Sequence, residues 1–301
     1  MDLPQLNDNF GIPGVLVFHA TVSGLIHADI TTPHATATVY LQGAHVTAWQ
    51  PKGQGPAIFV SRKSDFAPGK PIRGGVPIAF PWFAARHDGK TGPSHGFARI
   101  QDWTLAFAAL AGEDLHMTFT LGSTEMSRSL GYDHFRLAFQ LTIGRTLTME
   151  LTVVNDAPTP LVFEEALHTY YAISDIHEIS VTGLEGVTYL DKNDSLRSKQ
   201  QQGAITITEP TDRVYLNTTD TCLLQDAGSK RRIRVVKTGS NTTVVWNPWE
   251  SGAAKLPDLD PTEWHEFIAI ETVNAATNAV TLSPGNTHVM RAHIFVEELN
   301  V

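Results

Sequence analysis

Cysteine is almost missing from this chain, and so is any concentration of positive charge. Cys222 is the single cysteine, which excludes an internal disulfide and a metal centre built from clustered thiolates. It reads as a small buried hydrophobe. Lysine and arginine total 22 against 31 aspartates and glutamates, for a formal charge of −9, and the basic residues are scattered rather than gathered into runs. Nothing therefore attracts a nucleic-acid backbone or an anionic membrane surface, and an anionic ligand has to be captured by a few placed arginines. Long apolar runs are missing too. No segment approaches the roughly 20 apolar residues that span a bilayer, and Met1–Asp8 has neither the basic nor the apolar region of a secretory signal. The cytoplasm is the expected location. No repeat, low-complexity tract or linker divides the sequence, so one domain over residues 1–301 is expected.

What the sequence has instead is alternation. Leu137, Phe139, Leu141 and Ile143 alternate with Ala138, Gln140 and Thr142, and after Gly144-Arg145 the same period of two returns at Leu147, Met149, Leu151 and Val153. That pattern predicts a β-hairpin. Further strands are expected over 117–121, 205–208, 233–237, 242–246, 279–282 and 290–296. One stretch carries a helix-start signal: Asp260 as cap, Pro261 at the first helical position and Glu263 three residues after the cap. Many strands and little helix predict a mainly β protein, a sandwich of two large, predominantly antiparallel sheets.

Three loop-like or apolar segments carry candidate chemistry. In Arg73-Gly74-Gly75-Val76-Pro77 the glycines allow close backbone approach and the prolines stiffen the loop that presents Arg73. His95-Gly96-Phe97-Ala98-Arg99 adds a histidine and a second arginine. Two guanidinium forks from separate loops suit a phosphate, although a tight turn with a solvent-facing arginine would read the same way. In Glu164-Glu165-Ala166-Leu167-His168-Thr169-Tyr170-Tyr171 a histidine sits in apolar and aromatic company, which can tune an imidazole for proton transfer near neutral pH or simply bury it. Glu271 ends the apolar run from Phe267, where an unpaired carboxylate is costly, so a functional role is favoured. Asp212 is a further acidic candidate. Metal binding is not expected: there is no His-Glu-x-x-His pattern, and His288 and His293 fall on opposite faces of one expected strand.

Taken in order, Arg-Gly-Gly-Val-Pro, His-Gly-Phe-Ala-Arg, Ala-Leu-His-Thr-Tyr, Thr-Asp-Arg-Val-Tyr at 211–215, Val-Val-Trp-Asn-Pro-Trp at 244–249 and the Glu271 segment resemble the glucose-6-phosphate 1-epimerase family, within the aldose 1-epimerase superfamily. The resemblance runs from about Ala35 to the C-terminus. It implies a galactose-mutarotase-like β-supersandwich and interconversion of the α and β anomers of a hexose 6-phosphate, with no cofactor and no metal. It also implies His168 as general acid, Glu271 as general base, and Arg73, His95, Arg99 and Asp212 as substrate-binding residues, with Trp82 or Trp246 as aromatic walls. Where relatives often carry Gln before the His-Gly pair, this chain has Ser94. The rival readings are a mutarotase for unphosphorylated aldoses, a glycosidase pairing Glu271 with Asp212 or Glu165, and a phosphosugar-binding module without catalysis.

Overall fold

A computed structural model of the chain describes residues 1–299. The expected hairpin is present as Phe135–Ile143 paired with Leu147–Asn155 in antiparallel register, Leu137 facing Val153 and Leu141 facing Met149. Every second side chain of both strands is buried, as a period of two requires when one face packs inward. The hairpin lies within an eight-stranded sheet that runs, edge to edge, Ile179–Thr182, Cys222–Asp226, Arg231–Thr238, Thr287–Glu298, Leu147–Asn155, Phe135–Ile143, Asp114–Gly122 and Thr104–Ala111.

A second eight-stranded sheet carries the residues of interest. Its order is Arg197–Gln200, Thr188–Asp191, Thr211–Leu216, Thr242–Asn247, Phe267–Asn274, Glu165–Leu167 and Ile78–Ala79, with Tyr170–Ala172 also pairing Phe267–Asn274. All of its pairings are antiparallel. A four-stranded sheet (Leu16–Ala20 through His45–Pro51) and a small pair of strands, Leu161–Phe163 with Val280–Leu282, complete the architecture. The main apolar core joins the inner residues of the hairpin to Leu167, Tyr171, Ile268 and Ile270 of the second sheet. Each such fully buried side chain contributes about 1.5 to 3 kcal/mol.

The strand Phe267–Asn274 is buried at every position. Ile268 and Ile270 face the core, whereas Phe267 and Val273 belong to clusters on the other side of the sheet. A strand covered on both faces reads as a continuous apolar run. This is why Glu271 stands out in it.

Two expectations are corrected. Residues 205–208 form no strand: Ile205 makes only an isolated bridge to Val181, exchanging both backbone hydrogen bonds with it, and the pairing goes no further. The signal at Asp260 produces a short 3₁₀ turn, Glu263–His265, rather than an α-helix. Glu263 does reach back to the Asp260 amide (3.1 Å), but it also takes Ser61 Oγ (2.6 Å) and the Arg62 amide (2.9 Å), so a distant loop competes for the cap. Short α-helices occur instead at Leu3–Phe10, Glu125–Ser129 and Trp249–Ala253, the first two with complete capping boxes at Asp2/Gln5 and Thr124/Ser127.

Gly74 and Gly75 both have positive φ, +102° and +68°. A Cβ on Gly75 would run into the His45 ring and approach the Val46 carbonyl oxygen to 2.6 Å. Gly75→Ala is therefore expected to destabilise the protein by more than about 2 kcal/mol, through both backbone strain and collision. Chemical denaturation at constant m-value checks it; a change within about 0.5 kcal/mol would remove the claim.

Candidate active site

The candidate site lies on the sheet face opposite the core, and backbone register assembles it. Asp212 faces Trp246, Trp246 faces Ala269, and Ala269 faces Tyr170. One rung further, Val214 faces Val244 and Val244 faces Glu271. Between the short strands Glu165–Leu167 and Tyr170–Ala172 the ladder is interrupted, and His168 occupies the interruption. Its amide donates to the Pro77 carbonyl (3.0 Å), while the Ile270 amide donates to Thr169. His168 is thereby set across from Glu271, with Nε2 3.4 Å from Oε1 and both side chains buried.

The loop segments converge on this pair. The Gly75 carbonyl accepts from the Tyr170 amide at 3.0 Å, which fixes the Arg73 loop beside the His168 segment. Arg73 donates from Nε to Asp258 Oδ1 (3.1 Å), forms an ion pair with the same oxygen through Nη2 (3.1 Å), and donates to the Tyr170 hydroxyl from Nη1 at 3.2 Å. Gly96 packs its bare Cα against the Phe80 carbonyl, where any side chain would collide. That contact places His95 at φ +60°, with its ring centroid 5.3 Å from that of His168. Arg99, on the turn Ala98–Ile100, donates from Nη2 to the Ser94 carbonyl at 2.7 Å, and its Nε is buried without a hydrogen-bond partner among the described residues. Because Ser94 holds Arg99 through its backbone, this contact does not depend on the side chain at that position.

The chain belongs to the aldose 1-epimerase family. The aldose 1-epimerase family model matches residues 27–294. Among curated relatives, a protein of Salmonella typhimurium provisionally named glucose-6-phosphate 1-epimerase is 35% identical over 245 residues, 81% of each chain. One of Escherichia coli with the same provisional name is 34% identical over 252 residues, 83% of each chain. Among solved structures, a provisionally assigned Salmonella typhimurium mutarotase superposes with a TM-score of 0.88 at 30% identity, covering 96% of both chains. The expected mainly β, galactose-mutarotase-like fold is the one observed.

All six residues singled out in the sequence, His168, Glu271, Arg73, His95, Arg99 and Asp212, gather at this site of the epimerase-family fold. Trp246 joins them, its ring edge-on to His168 at 6.0 Å. Trp82 does not: it packs against Phe97 and Tyr132 and donates to the Pro93 carbonyl. The wall beside His95 is Phe83 instead, 4.9 Å between centroids. Glu165 also lies elsewhere, buried on the core side with Asn274 (2.9 Å) and His288 (2.8 Å). Sequence reasoning missed Lys192, whose Nζ lies 3.5 Å from Asp212 and 4.9 Å from the Phe83 ring centre. It also gave no part to Asp258. Both sit in turn-like stretches, Leu-Asp-Lys-Asn-Asp and Leu-Pro-Asp-Leu-Asp, that look like ordinary solvated loops.

Burial governs the electrostatics. It raises the Glu271 carboxyl well above the usual range, against the pull of Lys192 and with a smaller push from Asp212. Burial lowers His168 well below the ordinary imidazole value, helped by His95, Arg99 and Arg73. His95 is lowered in the same way, chiefly by burial and then by Arg99, Lys192 and Arg73. With its Nδ1 accepting from the Ala84 amide at 3.3 Å, a neutral His95 presents Nε2–H as a donor. Burial brings Arg99 down to about 10, still cationic at neutral pH. For Arg73 burial opposes the charge, but Tyr170 and Asp258 outweigh it and raise the group. Asp212 is raised by burial, with Lys192 opposing.

A carboxyl raised by folding favours the folded state most below its unfolded value and loses that contribution as pH rises through the folded value. Glu271→Gln lacks this loss. The variant is expected to be more stable than the parent at neutral pH, by about 1 to 3 kcal/mol, with the gap growing upward from the ordinary carboxylate range near pH ~4.3. Thermal midpoints measured across pH 4 to 8 check it (a range chosen to bracket that window); a constant or shrinking gap would contradict the burial cost.

Proposed function

We propose that this protein interconverts the α and β anomers of a hexose 6-phosphate, most simply glucose 6-phosphate, by opening and reclosing the sugar ring. The observation that carries the reading is the His168–Glu271 pair: two buried proton-transfer groups 3.4 Å apart, with Glu271 Oε2 lacking a hydrogen-bond partner among the described residues. Buried polar atoms are nearly always paired, so an unpartnered carboxylate oxygen there suits a hydroxyl of a ligand.

Anomer exchange requires one proton to leave the C1 hydroxyl and another to reach the ring oxygen. Both oxygens are borne by the same carbon, so base and acid have to stand side by side. Glu271 takes the hydroxyl proton as His168 gives its proton to the ring oxygen, the C1–ring oxygen bond breaks, and an aldehyde results. After rotation about the C1–C2 bond the ring closes on its other face, with both protons returned. The pair holds one proton throughout, first as imidazolium and carboxylate, then as imidazole and carboxylic acid. Burial disfavours the charged form of both groups, so imidazolium–carboxylate is the minor, reactive form of the pair, and from it the ring-opening transfer leaves both groups neutral.

His95 and Asp212 then bind sugar hydroxyls, Trp246 lies against the ring, and Arg73 with Arg99 binds the phosphate. Arg99 has a buried Nε with no hydrogen-bond partner among the described residues, and both arginines offer further N–H groups for bidentate capture. The provisional names of the 34–35% identical relatives support the same substrate.

Exchange spectroscopy by NMR on glucose 6-phosphate and on glucose, with and without protein, tests the activity. His168→Asn and Glu271→Gln are each expected to reduce exchange by about 10² to 10⁴; near-parental rates in either variant would take that residue out of the mechanism. Arg73→Ala and Arg99→Ala are each expected to lower kcat/KM on glucose 6-phosphate by about one to two decades, and on glucose much less. Equal losses on both sugars would withdraw the phosphate assignment.

A further inference from the structure

We propose that Tyr170 is a positioning residue: its ring fixes the plane of the His168 imidazole, and its hydroxyl joins that ring to the Arg73 guanidinium. The second half rests on the phosphate role given above to Arg73; the first half does not.

An imidazole that transfers protons ordinarily has its far nitrogen hydrogen-bonded to a carbonyl or carboxylate, which sets tautomer and orientation. Among the described residues His168 has no such bond to another residue. Its Nδ1 is buried and has no hydrogen-bond partner among the described residues. Stacking takes over the task. The Tyr170 ring lies parallel to the imidazole, 4.7 Å between centroids and 9° between planes. His95 and Trp246 meet His168 edge-on at 5.3 and 6.0 Å, closing off rotation out of that plane. Tyr170 is itself immobilised: its side chain is almost fully buried, and Trp246 and Phe267 pack on it at 5.8 and 5.3 Å. A cationic imidazole over an aromatic face is also stabilised electrostatically, which offsets part of the burial penalty on the protonated acid.

The hydroxyl end of the same ring accepts from Arg73 Nη1. Asp258 occupies the Nε side of that guanidinium, so the arginine is held at one edge and braced against Tyr170. One rigid aromatic ring thus connects the anion-binding fork to the proton donor. A ligand that engages Arg73 through its phosphate bears on the orientation of His168 through that ring, with no moving segment between them.

Two substitutions separate the halves. Tyr170→Phe keeps the stack and removes the hydroxyl; it is expected to lower kcat/KM on glucose 6-phosphate about tenfold more than on glucose. Tyr170→Met removes the stack and is expected to lower kcat on both sugars about a hundredfold with little change in KM, and to shift the acid limb of the kcat–pH profile, because misplacing the acid affects the transition state more than binding. Loss of stability alone would not move that limb. In the double variant Arg73→Ala/Tyr170→Phe, the loss on glucose 6-phosphate is expected to match Arg73→Ala alone, the sign of a shared interaction. Fully additive losses would overturn the coupling, and a Tyr170→Met kcat within twofold of the parent with an unshifted acid limb would overturn the stacking role. Should Arg73→Ala cost both sugars equally, the phosphate reading falls, and the Tyr170→Met result still decides the positioning of His168.

Discussion

The arrangement depends on one costly placement, a carboxylate in the middle of a strand that is buried on both faces. Among the described residues no arginine or lysine pairs with Glu271; its neighbour at 3.4 Å is an imidazole that burial also drives toward neutrality. Desolvating a carboxylate costs several kcal/mol even after relaxation, and here it is offset by the apolar packing around it. Ile268 and Ile270 on one side and Phe267 and Val273 on the other tie the strand into three hydrophobic clusters. The large antiparallel sheets supply the cohesion that lets a small site remain unfavourable by itself.

Much of the fold was legible because period two is a strong signal where one face is buried. The hairpin at 135–155 was readable to within two residues. Failures cluster where tertiary contacts override local chemistry. Glu263 is a cap residue by sequence, yet in the fold Ser61 and Arg62 take most of its carboxylate. The helices at Glu125–Ser129 and Trp249–Ala253 are too short to show a helical period at all.

The site shows a similar division. His168, Glu271, Arg73, Arg99, His95 and Asp212 were legible through ordered segments resembling one family, and Glu271 also through its incongruity in an apolar run. Trp82 was misplaced because a tryptophan next to a phenylalanine gives no indication of which ring turns inward; loop packing puts Phe83 beside His95 and Trp82 against Phe97. Lys192 and Asp258 were invisible for a different reason. Each comes to the site from a turn far along the chain, and only the pairing of Thr211–Leu216 with its neighbours, or the packing of Leu256 and Leu259 beneath the Asp258 loop, brings it in.

The Asp258–Arg73 pair has a consequence for how an anion reaches this site. Because Arg73 already carries its own counter-charge in Asp258, and the whole chain bears a formal −9, little positive charge is left over to draw an anion such as the proposed phosphosugar inward. The net charge opposes such an anion at long range, and in the proposed site the favourable contacts come only in the last few ångströms, at Arg99 and the open edge of Arg73. Added salt screens the repulsion over a Debye length of about 8 Å at physiological ionic strength while leaving those buried contacts largely intact. On the proposed reading, capture of a dianion is governed by local fit rather than by steering, the reverse of an enzyme that lies in wait behind a broad basic surface.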